Sequence, residues 1–328
     1  MSEDAQTAPA PGEPFHPKPA TAVPERPEKK GLSELSRRLL TAAVLVPAVI
    51  YIIIFGGLVY LATVALFTLI GQREFYGMIE DKGAHPLVGV GLGFGLAVTV
   101  VAYVGNEYHA TLLLTASLLV LMVAQLRKAR IEEALASISG TFFGVFYVGW
   151  LLSHAVVLRF FYGSVASKYD ADDVALLELA PESGVFFMIY TLAVVVCCDA
   201  GAYFAGRAWG RRKLAPEISP NKSVEGALGG VVVGTLAGVV AKLVFDFFWP
   251  ELSAMISIEA AAVFGVVLSM VGIVGDLVES LLKRDAAVKD TGALLPGMGG
   301  VLDRIDAPLL AIPVMYYMLL GYVFIQVG

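Results

Sequence analysis

Beyond residue 33 the chain alternates long apolar runs with short polar connections, and the runs are too long and continuous to be strands. A helix needs about 20 apolar residues to cross about 30 Å of hydrocarbon. On that measure the pattern predicts nine membrane-spanning helices, near residues 38–57, 58–77, 86–104, 109–126, 138–158, 184–206, 226–248, 258–282 and 307–327. Helices are required because lipid offers no water to backbone N–H and C=O groups, which must then pair within their own segment. The expected fold is an all-α polytopic integral membrane protein. Residues 1–33 break the pattern: rich in Pro, Ala and charge, they hold too little apolar surface to offset chain entropy, and are expected to form a disordered cytoplasmic tail. The first apolar run follows Arg37 and Arg38 and is long enough to span, so it reads as an uncleaved anchor and not a signal peptide. Helices within 34–183 form an N-terminal region, and 184–328 a C-terminal region that holds the chemistry.

Charge supplies a test of orientation, because Lys and Arg favour cytoplasmic loops. Of the 23 Lys and Arg residues, all but Arg159, Lys168 and Lys242 fall in the tail or at the even-numbered connections. The amino terminus is thus expected inside and the carboxyl terminus outside, with Lys242 snorkelling from near a span end. The loop 159–183, with Asp170, Asp172, Asp173, Glu178 and Glu182, is expected to be a solvated outer loop. Composition agrees with the hydrophobic pattern: 57% of residues are hydrophobic, 16% are charged and the mean hydropathy is +0.76. A net charge of −6 argues against nucleic acid as a partner. The two cysteines, Cys197 and Cys198, are adjacent in an apolar run, which excludes a disulfide framework and zinc-ligand spacing and leaves helix packing.

Ionisable groups inside spans cost about 2.5 to 3.5 kcal/mol each on insertion scales, so each is a functional candidate. They concentrate between 199 and 306. Asp199 ends an apolar run and opens DAGAYFAGR, where small residues permit close approach. In GRRKLAPEISPNKSVEG, Ser219 and Pro220 resemble an N-cap followed by proline at the first helical position, a helix start that attracts phosphate. Lys222, Ser219 and Ser223 would add charge and hydroxyls to it. Gly226, Gly230, Gly234 and Gly238 then recur on one helix face and are expected to form a packing seam. Farther on, Asp276, Glu279, Ser280 and Lys283 stand at i, i+3, i+4 and i+7 and share a helix face. Arg284, Lys289, Asp290, a Gly/Pro turn, Asp303, Arg304 and Asp306 follow. Hard carboxylate oxygens of this kind suit Mg²⁺. All four histidines precede the region, which excludes an imidazole metal site within it. Phosphoryl chemistry needs no histidine, since its catalysis is mostly positioning and charge stabilisation.

From Ser280 to Asp306 the sequence follows S-x-x-K-R-x4-K-D-x-G-x2-L-P-x-x-G-G-x-x-D-R-x-D. In this pattern, and in SPNKSVEG and DAGAYFAGR, it resembles the phosphatidate cytidylyltransferases, also called CDP-diacylglycerol synthases, with Met298 where the family usually has histidine. The resemblance is strong over 184–328, whereas the first half matches only as a series of spans. It implies a multi-pass enzyme of the inner cell membrane that converts CTP and phosphatidate to CDP-diacylglycerol and pyrophosphate, and it favours a homodimer, which the glycine-rich faces would allow. Carried onto this sequence, it implies catalytic roles for Asp276, Lys283, Arg284, Lys289, Asp290 and Arg304. Substrate contact would fall to Ser219, Pro220, Asn221, Lys222, Ser223 and Glu225. Asp199, Asp276, Asp303 and Asp306 would hold Mg²⁺, with a monovalent cation such as K⁺ as companion. The alternatives are a transporter with carboxylate ion sites and a CTP-dependent enzyme acting on another lipid. A transporter would be expected to show repeated halves with interrupted spans, whereas here the polar residues gather at one face of the C-terminal region.

Overall fold

The computed structural model describes residues 34–104, 107–127, 131–292, 294 and 299–327; the expected tail, Pro296, Gly297 and Met298 lie outside the described residues. Long helices occupy the positions of the apolar runs: α1 (Glu34–Phe55), α2 (Gly57–Asp81), α3 (Val88–Val104), α4 (Glu107–Gln125), α5 (Ala134–Arg159), α6 (Ser183–Trp209), α7 (Val224–Phe248), α8 (Ile258–Asp285) and α9 (Leu302–Val327). Among the described residues α2 and α4 to α9 are long and apolar enough to cross a membrane, while α3 and the apolar part of α1, Ala43–Phe55, are shorter. The chain is a helical, multi-pass membrane protein. One core joins its two regions, with Tyr76, Val148 and Leu152 from the first half buried in the same cluster as Val194, Leu268, Leu309 and Met315 from the second.

The glycine row of α7 is the expected seam, and it faces α6 of the same chain. A Cβ on Gly226 would sit 2.8 Å from the Ala202 carbonyl, one on Gly230 2.9 Å from that of Cys198, and one on Gly234 2.9 Å from that of Val194. Only hydrogen at these positions lets the two backbones meet. All four glycines are buried, so the face that would allow a second copy of the chain is already covered within one chain. Both cysteines are free thiols, with Cys198 buried in this seam.

One local expectation is corrected, and two others gain detail. The helix after the basic segment starts at Val224, not after Ser219: Ser219–Ser223 (β2) is a strand paired antiparallel with Lys213–Ala215 (β1), and the cap is Ser223, whose hydroxyl accepts the Gly226 N–H at 3.1 Å. Pro220 has no N–H to donate, which a two-stranded ribbon with open edges tolerates. The hairpin also qualifies an all-α fold. Lys242 is buried and paired with Asp246 one turn on, which also accepts the Ser253 hydroxyl at 2.6 Å. The loop 159–183 forms two short helices, Phe161–Ala166 and Ala171–Leu176, and its Glu182 pairs at 2.6 Å with the buried guanidinium of Arg159. Arg159 Nε donates to the Ile53 carbonyl at 2.7 Å, tying the loop to the end of α1. Gly56, at φ 64°, turns the chain there, and a Cβ on it would lie 2.8 Å from Arg159 Nη2.

Candidate active site

The site begins with the period of α8. Asp276, Glu279, Ser280 and Lys283 do lie along one face: the Ser280 hydroxyl reaches Asp276 at 3.4 Å, and Lys283 Nζ stands 2.7 Å from Glu279. What converts this stripe into a cluster is the approach of α9. Gly275 precedes Asp276, and a Cβ there would meet the Asp306 carbonyl at 2.7 Å and the Ala307 Cα at 3.1 Å. The absent side chain lets Asp306 come beside Asp276 and Glu279, so that one carboxylate oxygen from each lies within 4.8 Å of the others. Asp306 is oriented by the Ala307 N–H, which donates to it at 2.8 Å.

Glu279 is fully buried, at 0% exposure. Lys283 is its ion-pair partner at 2.7 Å, and apart from Lys283 neither Glu279 oxygen has a hydrogen-bond partner among the described residues. A buried carboxylate with a single cationic partner has lone pairs left to fill, and a second cation could take them up. Three all-oxygen ligands at this spacing fit the compact shell of a hard divalent ion. From the other side comes Lys222 of β2, which pairs with Asp276. Asp199, exposed on α6, is near enough for its charge to couple to Asp306 and Asp276 and to the opposing cations Lys222 and Arg304.

The remaining candidates fall into different places. Asp303 is outside the group of three, and its oxygens are already engaged: Oδ1 by Lys283 at 2.8 Å, Oδ2 by the N–H groups of Thr291 at 2.9 Å and Gly300 at 2.8 Å, with the Thr291 hydroxyl at 3.0 Å. It organises the loop before α9. Arg284 Nε donates to the Ile218 carbonyl at 3.3 Å and ties the end of α8 to the hairpin. Glu225 accepts the N–H groups of Arg211 at 2.9 Å and Arg212 at 3.1 Å, and Ser223 spends its hydroxyl on the α7 cap. Ser219 is half-buried in β2, whereas Pro220 and Asn221 are exposed. Lys289, Asp290 and Arg304 are exposed, and Asp290 lines a cavity of about 300 Å³ with Arg73, Glu74 and Thr291.

Two residues were not among the expected ligands or contacts. Glu279 was placed on the α8 face but not in the metal set. Glu74 of α2 accepts from the loop before α9; its only sequence signal was a carboxylate inside an apolar run.

Comparison with known proteins identifies the family. The model of the cytidylyltransferase family matches residues 36–322. A Synechocystis sp. protein named phosphatidate cytidylyltransferase is 32% identical over 296 residues, covering 86% of this chain and 95% of the relative. One so named from Bacillus subtilis is 43% identical over 136 residues, 42% of this chain and 48% of the relative. A chloroplastic one from Arabidopsis thaliana is 29% identical over 293 residues, 85% of this chain and 72% of the relative. The matched range runs from α1 into α9, and the chain belongs to the cytidylyltransferase family.

Proposed function

We propose that this protein is a phosphatidate cytidylyltransferase of the inner cell membrane, which makes CDP-diacylglycerol and pyrophosphate from CTP and phosphatidate for phospholipid synthesis. The supporting observation is the convergence of Asp276, Glu279 and Asp306, ringed by Lys222 and Lys283, inside a chain whose relatives carry that name. A phosphatidate oxygen attacks the α-phosphorus of CTP, the bond from that phosphorus to the bridging oxygen breaks, and pyrophosphate leaves. The attacking phosphate is already ionised near neutral pH, so no side chain has to remove a proton. The difficulty is that two polyanions must meet. Lys222, Lys283, Arg284, Lys289 and Arg304 offset their repulsion, and they act more strongly where water is partly excluded. Asp276, Glu279 and Asp306 are the residues that would hold Mg²⁺, whose chemistry here is neutralising and orienting the triphosphate. Asp199, exposed on α6 and coupled in charge to Asp276 and Asp306, would be a further ligand for that ion.

The topology that goes with this function is nine spans, with the amino terminus cytoplasmic and the carboxyl terminus outside. Two of the cations that depart from the charge asymmetry are neutralised: Arg159 by Glu182 and Lys242 by Asp246. The cytoplasmic ends of α6 and α8 carry Arg207, Lys283 and Arg284, at the membrane face where CTP is available.

The test is turnover. Purified protein with Mg²⁺, phosphatidate and labelled CTP is expected to transfer label to lipid and release pyrophosphate, with CTP preferred among the four nucleoside triphosphates. Absence of labelled lipid under those conditions would overturn the assignment.

A further inference from the structure

Glu74 sits on α2, 227 residues before Val301, yet its carboxylate closes on the start of α9. Oε1 accepts the Val301 N–H at 3.0 Å and Oε2 accepts the Leu302 N–H at 2.8 Å. Val301 immediately precedes α9 and Leu302 opens it, so neither N–H has an acceptor within the helix. The Thr291 hydroxyl lies 3.3 Å from Glu74 and 3.0 Å from Asp303, and can donate to one at a time. Two glycines make room for this carboxylate. A Cβ on Gly292 would lie 2.5 Å from Glu74 Oε1, and one on Gly300 2.7 Å from Glu74 Cδ. From this clamp a chain of contacts runs to the cluster through Thr291, Asp303, Lys283 and Glu279. By the other route, Asp306 stands one helical turn beyond Leu302 on the same rigid element.

We propose that Glu74 is a positioning residue for the carboxylate cluster: by holding the first turn of α9 against α2, it sets where Asp306 stands relative to Asp276 and Glu279, and so sets the affinity of the site for a divalent cation. This rests on reading the cluster as a cation site. A carboxylate that merely stabilised the fold would change the melting temperature but leave cation affinity in the folded protein unaltered. Glutamine at position 74 keeps one acceptor but turns an N–H₂ toward the second backbone N–H, so the two-point clamp is lost.

The experiment measures Mn²⁺ binding to the full-length protein by electron paramagnetic resonance, alongside the Mg²⁺ concentration for half-maximal turnover. Glu74→Gln is expected to weaken Mn²⁺ binding by about 10- to 100-fold, the usual effect of losing a group that orients metal ligands. The Mg²⁺ requirement is expected to shift upward by a similar factor, with turnover largely restored at saturating Mg²⁺. Gly300→Ala leaves Glu74 in place but presses on its carboxylate and on the Thr291 hydroxyl beside it, and is expected to weaken Mn²⁺ binding in the same direction. Either variant, recovered folded and binding Mn²⁺ as tightly as the wild type, overturns the inference about Glu74 while the cluster stands. Wild-type protein that binds no Mn²⁺, or Asp306→Asn protein that binds it unchanged, overturns the cation site itself.

Discussion

Asp276 meets neighbours of three kinds: Lys222 from the hairpin, Ser280 from its own helix, and the carboxylates of Glu279 and Asp306. Its charge is therefore balanced in part by the hairpin lysine, and on the proposed function it would also face a cation. Asp276→Asn keeps the shape and the Ser280 contact while removing that charge. Turnover is expected to fall by about 100-fold or more, the scale on which losing one preorganised charge partner at a reaction centre reduces rate. The variant should still elute as folded, membrane-extracted protein, and wild-type turnover in it would remove Asp276 from the mechanism. Glu279 and Asp303 show how far single residues were legible. Helical periodicity placed Glu279 on the reactive face, but nothing in the sequence told that it would be sealed from solvent beside Asp306. Asp303 had the residue type and neighbourhood of a ligand, and only the fold shows Thr291, Gly300 and Lys283 occupying its oxygens.

At the scale of elements, the α6–α7 seam carries Asp199 and the α8–α9 contact carries the cluster, and both depend on missing side chains. Gly234 shows the cost of filling one in: its Cβ would lie 2.3 Å from Ser269 Oγ on α8 as well as 2.9 Å from the Val194 carbonyl on α6. Gly234→Val must push three helices apart, and overpacking of this kind costs about 1 to 3 kcal/mol. The expected result is a lower melting temperature in detergent together with reduced turnover, and a variant unchanged in both would show that the seam is not tight. The seam was legible because glycine spaced by four is a local pattern. The hairpin was not: Ser219 followed by Pro220 and Ser223 followed by Val224 are both acceptable helix starts locally. Pairing of β2 with β1 and the hold of Glu225 on Arg211 and Arg212 decide between them.

For the whole molecule, the charge asymmetry makes a topological prediction. With Cys197 and Cys198 replaced, cysteine at Asp172 is expected to react with a membrane-impermeant maleimide added outside intact cells, and cysteine at Lys213 only after lysis. The reverse labelling would invert the proposed orientation. The fold ties the halves together at both ends of the helices, through Arg159 between the end of α1 and Glu182 near the start of α6, and through Glu74 between α2 and α9. The N-terminal helices, which on sequence grounds amounted only to a series of spans, thereby reach the cluster.

The sequence by itself determined the positions of the apolar helices, the connections in which basic residues collect, the stripe on α8 and the family motif from Ser280 to Asp306. Each of these depends on spacing along one segment, which helical period and lipid solvation translate directly into structure. Tertiary structure alone decided which three carboxylates meet, which of the candidate residues are spent on caps and tethers, and that a glutamate from the second helix holds the start of the last. Those outcomes depend on how closely separate helices approach, and that distance is fixed by glycines and buried charges far apart in the chain.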